Sequence, residues 1–361
     1  MSPLPPGSMI GILGGGQLGR MLSMAAARLG FDCHIYTPEA DSCAARVSAR
    51  ETIAPYEDER ALATFAQSVQ AITYEFENVP AATAEALAKS GTPVFPGAKS
   101  LAVAQDRAIE KEFFARLGIA TAPFAKVEQR SDLDAALKQI GAPAILKTRR
   151  LGYDGKGQAR LNSAESAEDA DSAYAAINAA PAILEGVVNF EREISVIAAR
   201  GQDGAFAAFD VCENEHRGGI LAVTRAPARI DASVAENAIA AARTLMDALS
   251  HVGVLAVEFF LMADGALLAN EFAPRVHNSG HWTEDACLTS QFEQHIRAIA
   301  GWPLGPATRF ADAEMHNLIV DDVATWAHLA ADPQARLHLY GKGEARQGRK
   351  MGHVNRIKPL D

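Results

Sequence analysis

Two apolar runs, Val252–Met262 and Ala266–Phe272, flank Asp264-Gly265, and this feature constrains the fold more than any other in the chain. Asp-Gly between apolar runs signals a β-hairpin, because both turn positions tolerate a left-handed backbone. With Ala263 opposite Ala266, a two-residue turn brings Glu258 directly across from Glu271 on one face. Like charges across an antiparallel pair repel. Their neighbours Val257, Phe259, Phe260, Leu268 and Phe272 are apolar, which weakens solvent screening. A hard divalent cation bridging Glu258 and Glu271 to phosphate oxygens accounts for the pair. A solvated face with weak repulsion is the alternative.

The rest of the chain alternates in kind. Met9–Leu13, Phe31–Tyr36, Ala71–Tyr74 and Pro93–Phe95 read as strands, separated by helical periodicity at Gln17–Leu29, Arg60–Ser68 and Pro80–Lys89. That alternation predicts a parallel, doubly wound sheet over residues 9–98. Asp106–Leu117 reads as a helix capped by Asp106. Residues 121–188 read as a small inserted α+β module. Residues 190–272 read as mainly antiparallel strands around one helix, Ala232–Leu249, and Ser290–Ile299 as another helix. We therefore divide the chain into 9–98, 99–300 and 301–361, the last with short strands and a basic tail. A length of 361 residues suits such a division.

Composition removes several functions. A net charge of −10 argues against wrapping nucleic acid. No apolar run reaches the roughly 18–20 residues that span a bilayer. Met1–Ser8 has no signal-peptide pattern and reads as a loose leader. Cys33, Cys43, Cys212 and Cys287 form no C-x-x-C pair, which suits a reducing compartment. A cytoplasmic protein with no nucleic-acid or membrane partner is the expectation.

Three further stretches carry chemistry. Gly14–Gly19 satisfies G-x-G-x-x-G between a strand and a helix, with Glu39 downstream. It fits a dinucleotide site, another anion at a helix start, or a tight turn alone. Lys147–Gln158 follows a buried strand with three glycines and several cations, and suits a polyphosphate; a flexible basic loop is the alternative. Ala273–Thr283 concentrates hydrogen-bonding side chains just past Glu271, as an anion pocket would. His277 and His281 lack a third ligand to make a zinc site. Glu75, at a strand's carboxyl end, sits where such sheets bind ligands.

Together, Gly16–Met21, Gly152–Gln158, Asn270–Thr283 and Gly348–His353 resemble the N5-carboxyaminoimidazole ribonucleotide synthase family of purine biosynthesis, in the ATP-grasp superfamily. The resemblance runs from about Met9 to Asn355. It implies an N-terminal parallel-sheet pre-ATP-grasp domain, an inserted α+β lid, a central antiparallel ATP-grasp domain and a small C-terminal domain. The implied enzyme is an ATP-dependent carbon–nitrogen ligase, a homodimer. It carboxylates 5-aminoimidazole ribonucleotide with bicarbonate, through carboxyphosphate.

By the same resemblance, Glu258 and Glu271 hold Mg2+, with Asn270 beside them. Arg107, Lys147, Gly152, Tyr153, Asp154, Gly155, Lys156, Gly157 and Gln158 cover ATP. Glu185, Gly186, Val187 and Val188 meet the adenine, and Glu193 and His216 lie near the ribose. Arg275, His277, Asn278, Ser279 and Lys350 act at the reacting groups, and Asp154 handles the amine proton. Gln17, Leu18, Glu75, Tyr153, Asp154, Arg275, His277, Ser279, Arg349 and Lys350 contact the ribonucleotide. The alternatives are another ATP-grasp ligase of purine metabolism, of the formate-using glycinamide ribonucleotide transformylase type, a nicotinamide oxidoreductase, and a non-catalytic nucleotide-binding module.

Overall fold

In the computed structural model, which describes residues 2–152, 156–163, 166–343, 346 and 348–360, the strands form three sheets among the described residues. The first is parallel, in the order β3-β2-β1-β4, from β1 (Met9–Leu13), β2 (Asp32–Thr37), β3 (Arg50–Ile53) and β4 (Ala71–Tyr74). Strand β1 is apolar throughout because helices cover both faces. Helix Gln17–Arg28 buries Leu18, Met21, Leu22, Ala25 and Ala26 at helical spacing. Pro93–Phe95 is not a full strand: only Val94 bridges Ile72. Nor is the N-terminal segment loose. Leu4 is buried, its N–H donates to Ala300, and its carbonyl accepts from the Trp302 indole.

The inserted module is a second, antiparallel sheet in the order β5-β8-β6-β7. Its strands are β5 (Phe124–Val127), β6 (Ala144–Thr148), β7 (Gln158–Leu161) and β8 (Ala182–Gly186). Helices Arg130–Ile140 and Ala167–Ala176 give it its own core with Val127, Leu133, Leu146 and Leu184.

The third sheet contains β9 (Arg192–Arg200), β10 (Phe206–Ala208), β11 (Cys212–Arg217), β12 (Ile220–Ala226), β13 (Gly253–Leu261), β14 (Leu267–Ala273), β15 (Ala311–Ile319), β16 (Ala335–Leu339) and β17 (Lys350–Pro359). Its order is β14-β13-β9-β11-β12-β15-β17-β16, with β10 on β9. The C-terminal strands thus extend the central sheet. The basic tail is largely strand β17, inserted between β15 and β16 with Met351–Asn355 buried.

Candidate active site

Strand β13 pairs with β14 so that Glu258 faces Glu271 as expected, although the turn differs from the expected one. The loop has three residues, closed by Met262 N–H donating to Ala266, with Gly265 at φ +84°. Leu261 therefore pairs with Leu267, one place off the expected register, and a bulge beside Glu258 restores it. A three-residue loop ending in a left-handed glycine is a common hairpin form. The two departures cancel at the two glutamates.

The sheet's two faces differ. Ile194, Val196, Leu255, Val257 and Phe259 pack with helix Ala232–Leu249. On the other face, Ile197, Ala199, Val254 and Ala256 join the core shared with helices Gln17–Arg28 and Gln291–Ile299. Further along that face the apolar residues give way to Glu193, Ser195, Glu258 and Glu271.

Burial and the charge of Glu271 push Glu258 up to about 7. Burial would raise Glu271 too, but Arg107, 2.8 Å away, and Lys147 hold it down to about 2. Burial thus favours a proton on Glu258 while Glu271 stays charged. Asn270 Oδ1 beside them is buried without a hydrogen-bond partner. Two carboxylates and an amide oxygen are a donor set suited to a hard cation. Glu193 and His216 make a 2.6 Å contact on the same stretch of sheet.

A cavity of about 400 Å³ opens in front of Glu271. It is lined by Arg107, Glu110, Arg149 and Gly152 on one side and by Arg275, His277, Asn278 and Lys350 on another, with Gln17, Leu18 and Glu75 from the first domain. Glu77 pairs with Arg275 through Nε and so sets the guanidinium's orientation. Ser279 N–H donates to His277 Nδ1, which leaves the ring proton on Nε2, 3.5 Å from Glu258. Burial and Arg275 push His277 down to about 3, so the ring is neutral. Gln291 clamps this loop, accepting from His277 N–H and donating to its carbonyl.

The glycine-rich helix start has an internal occupant. Glu75 accepts from the amides of Gly16 and Gly19, at 2.7 Å for the latter. A Cβ on Gly14 or Gly16 would lie 2.3 or 2.5 Å from Glu75. The amides that a dinucleotide pyrophosphate needs are taken, which corrects the dinucleotide reading of Gly14–Gly19.

Among the cations of the Lys147–Gln158 stretch, Lys147 pairs with Glu185 at 2.6 Å. Arg149 is committed to Asp106 and Glu128, and Arg150 to Gln105. Gly157, at φ +69°, passes its carbonyl to Thr148 N–H, and Lys147 pairs with Gln158 across the β6–β7 hairpin. Gly186, Val187 and Val188 lead from β8 to β9, out of the inserted sheet and into the central one. Tyr153, Asp154 and Gly155 lie outside the described residues. Arg349 does not share the cavity of Lys350. It lines a second cavity of about 400 Å³ with Arg46, Lys342, Arg346, Gly15 and Gly16.

Sequence reasoning missed Glu110, Lys111 and Lys342, and gave Glu77 no role. Glu110 is buried, accepts from Phe272 N–H at 2.7 Å and is raised to about 8 by burial and Glu271. A signal existed: Glu110 and Lys111 stand four and three residues before Phe114, on its face of the helix, an unusual place for charges. Away from the cavity, Glu284, His338 and His353 each place one ligand atom within 4.8 Å of the others. The two rings are stacked 4.4 Å apart at 6°, so their lone pairs run parallel and do not converge on one ion.

Known proteins resemble this chain along nearly its whole length. Residues 8–105 match the ribonucleotide synthetase preATP-grasp domain, 112–292 the ATP-grasp domain, and 313–359 the phosphoribosylaminoimidazole carboxylase C-terminal domain. The N5-carboxyaminoimidazole ribonucleotide synthase of Brucella melitensis is 56% identical over 99% of this chain and 98% of its own. The Staphylococcus aureus N5-carboxyaminoimidazole synthetase bound to ADP superposes with a TM-score of 0.94 at 35% identity, over 99% of this chain and 95% of that one. The Aspergillus clavatus N5-carboxyaminoimidazole synthase bound to ADP and 5-aminoimidazole ribonucleotide gives 0.91 at 29% identity, over 98% and 95%. On this identity over nearly its whole length and its three matched domains, the chain belongs to the N5-carboxyaminoimidazole ribonucleotide synthase family.

Proposed function

We propose that the chain carboxylates the exocyclic amine of 5-aminoimidazole ribonucleotide, using ATP and bicarbonate. The carrying observation is the Glu258–Glu271 pair, which joins a cationic nucleotide side to the Arg275–His277 loop. Bicarbonate oxygen attacks the γ-phosphorus and ADP leaves. The amine then takes the carboxyl carbon of carboxyphosphate, phosphate leaves, and the amine loses a proton. Glu258, Glu271 and Asn270 would hold Mg2+, which offsets phosphate charge when bound. Arg107 and Lys147 offset the remaining phosphate charge, Glu185–Val188 meet the adenine, and Glu193 and His216 lie near the ribose. Arg275, His277, Asn278 and Ser279 orient bicarbonate. Lys350 faces the same cavity. Asp154 is the group we assign to the amine proton.

The basic cavity of Arg46, Lys342, Arg346 and Arg349 suits the ribonucleotide's phosphate, next to Gln17, Leu18 and Glu75. No helix among the described residues is long and apolar enough to cross a membrane. We place the enzyme in the cytoplasm as a homodimer, which analytical ultracentrifugation tests. ADP release should require both bicarbonate and 5-aminoimidazole ribonucleotide, and formate with glycinamide ribonucleotide should give none. Glu271→Gln should lower kcat by about 100-fold or more. Undiminished turnover in that variant would remove the metal assignment.

A further inference from the structure

Lys111 is fully buried on helix Arg107–Arg116 and takes no part in the site as described above. Its Nζ lies 3.3 Å from Glu185 Oε1 and 3.4 Å from the Ala269 carbonyl. The other oxygen of Glu185 is 2.6 Å from Lys147 Nζ. One carboxylate, 4% exposed, is therefore shared by two ammonium groups. A single cation would neutralise it.

The two lysines differ in reach. Lys147 is 13% exposed and lies one residue before the end of β6, whereas Lys111 is 0% exposed and enclosed by the fold. Only Lys147 can turn to a ligand. If it did so with no second cation nearby, Glu185 would become an uncompensated buried charge. We propose that Lys111 is a positioning residue: the fixed counter-ion of Glu185 that releases Lys147 to the nucleotide's phosphates. The inference rests on the ATP site proposed above.

Titration calorimetry on the full chain with Mg-ATP and with adenosine tests it. The readout is the ratio of the two affinities, since adenosine has no phosphates to draw Lys147. In Lys111→Met, Glu185 keeps Lys147, so ATP affinity should fall about tenfold while adenosine affinity holds. In Lys111→Met/Glu185→Gln the carboxylate that holds Lys147 is gone, and the ratio should return to the wild-type value. This double variant removes the buried carboxylate together with its enclosed lysine, and it decides the matter alone if the single variant does not fold. A wild-type ratio in Lys111→Met, an equal loss for adenosine, or a persisting deficit in the double variant each overturns the proposal. A wild-type chain that fails to bind Mg-ATP would instead sink the nucleotide site itself.

Discussion

One imidazole ties three elements together. His295, on helix Gln291–Ile299, accepts the Val254 N–H at Nδ1 (3.0 Å), so its proton is on Nε2, which donates to Thr73 Oγ1 at 2.8 Å. Strand β4 of the first sheet and β13 of the central one are joined through this neutral ring. Gly253 makes room for it: a Cβ there would lie 2.8 Å from the ring. Leucine would fill most of the volume but orphan both polar partners. His295→Leu should therefore cost about 1–3 kcal/mol, seen as a lower calorimetric unfolding temperature. An unchanged transition would count against this role. Glu75 is another such residue, since its carboxylate replaces an external anion at the glycine turn.

At the scale of elements, the β6–β7 hairpin depends on Gly157. Gly157 is needed twice, for its left-handed backbone and for its approach to Thr148, whose Oγ1 would lie 2.7 Å from a Cβ. A β-branched side chain there is strained as well as crowded. Gly157→Val should raise the KM for ATP about tenfold and leave the KM for the ribonucleotide unchanged, because the inserted module has its own core. Steady-state kinetics with each substrate varied would show it; equal rises in both would place the damage elsewhere. The β13–β14 ribbon shows a different logic. Its loop and its bulge each shift the register by one residue, and the glutamates stay opposed because the shifts are opposite.

Across the whole molecule, four fully buried histidines should set the acid limit. Burial pushes His251 down to about 4 and His295 to about 3, and holds His281 and His353 well below the usual value. In the unfolded chain each takes a proton near pH 6.5. Below that pH the unfolded state binds more protons, so stability rises with pH and is lost on acidification, by up to about 1.4 kcal/mol per pH unit for each histidine. Burial raises Glu258 and Glu284 to about 7 and Glu110 to about 8, and these oppose the trend above pH 4.5. With His277, also held down to about 3, five rings outweigh these three carboxyls among the large shifts, and the unfolding temperature should fall from pH 6.5 to 5. A flat profile would mean that these rings do not stay neutral in the fold.

Local signals carried much of the architecture. Helix Ala232–Leu249, strand β1 and the cap at Asp106 are as expected, because side-chain periodicity and capping act over a few residues. Strand β3 was not legible: it is short, polar and largely exposed. Strand β17 read as a charged tail, since its burial comes from neighbours on both sides. In the site, the facing glutamates and the glycine loop were legible as motifs. Which charge answers which was not. Arg107 meets Glu271 across 164 residues, Arg275 takes Glu77 across 198, and Glu75 fills the glycine turn. The order of residues by itself determined where most strands and the reactive groups lie. The tertiary structure alone decided which ions lose their water together, because that pairing depends on distance in space.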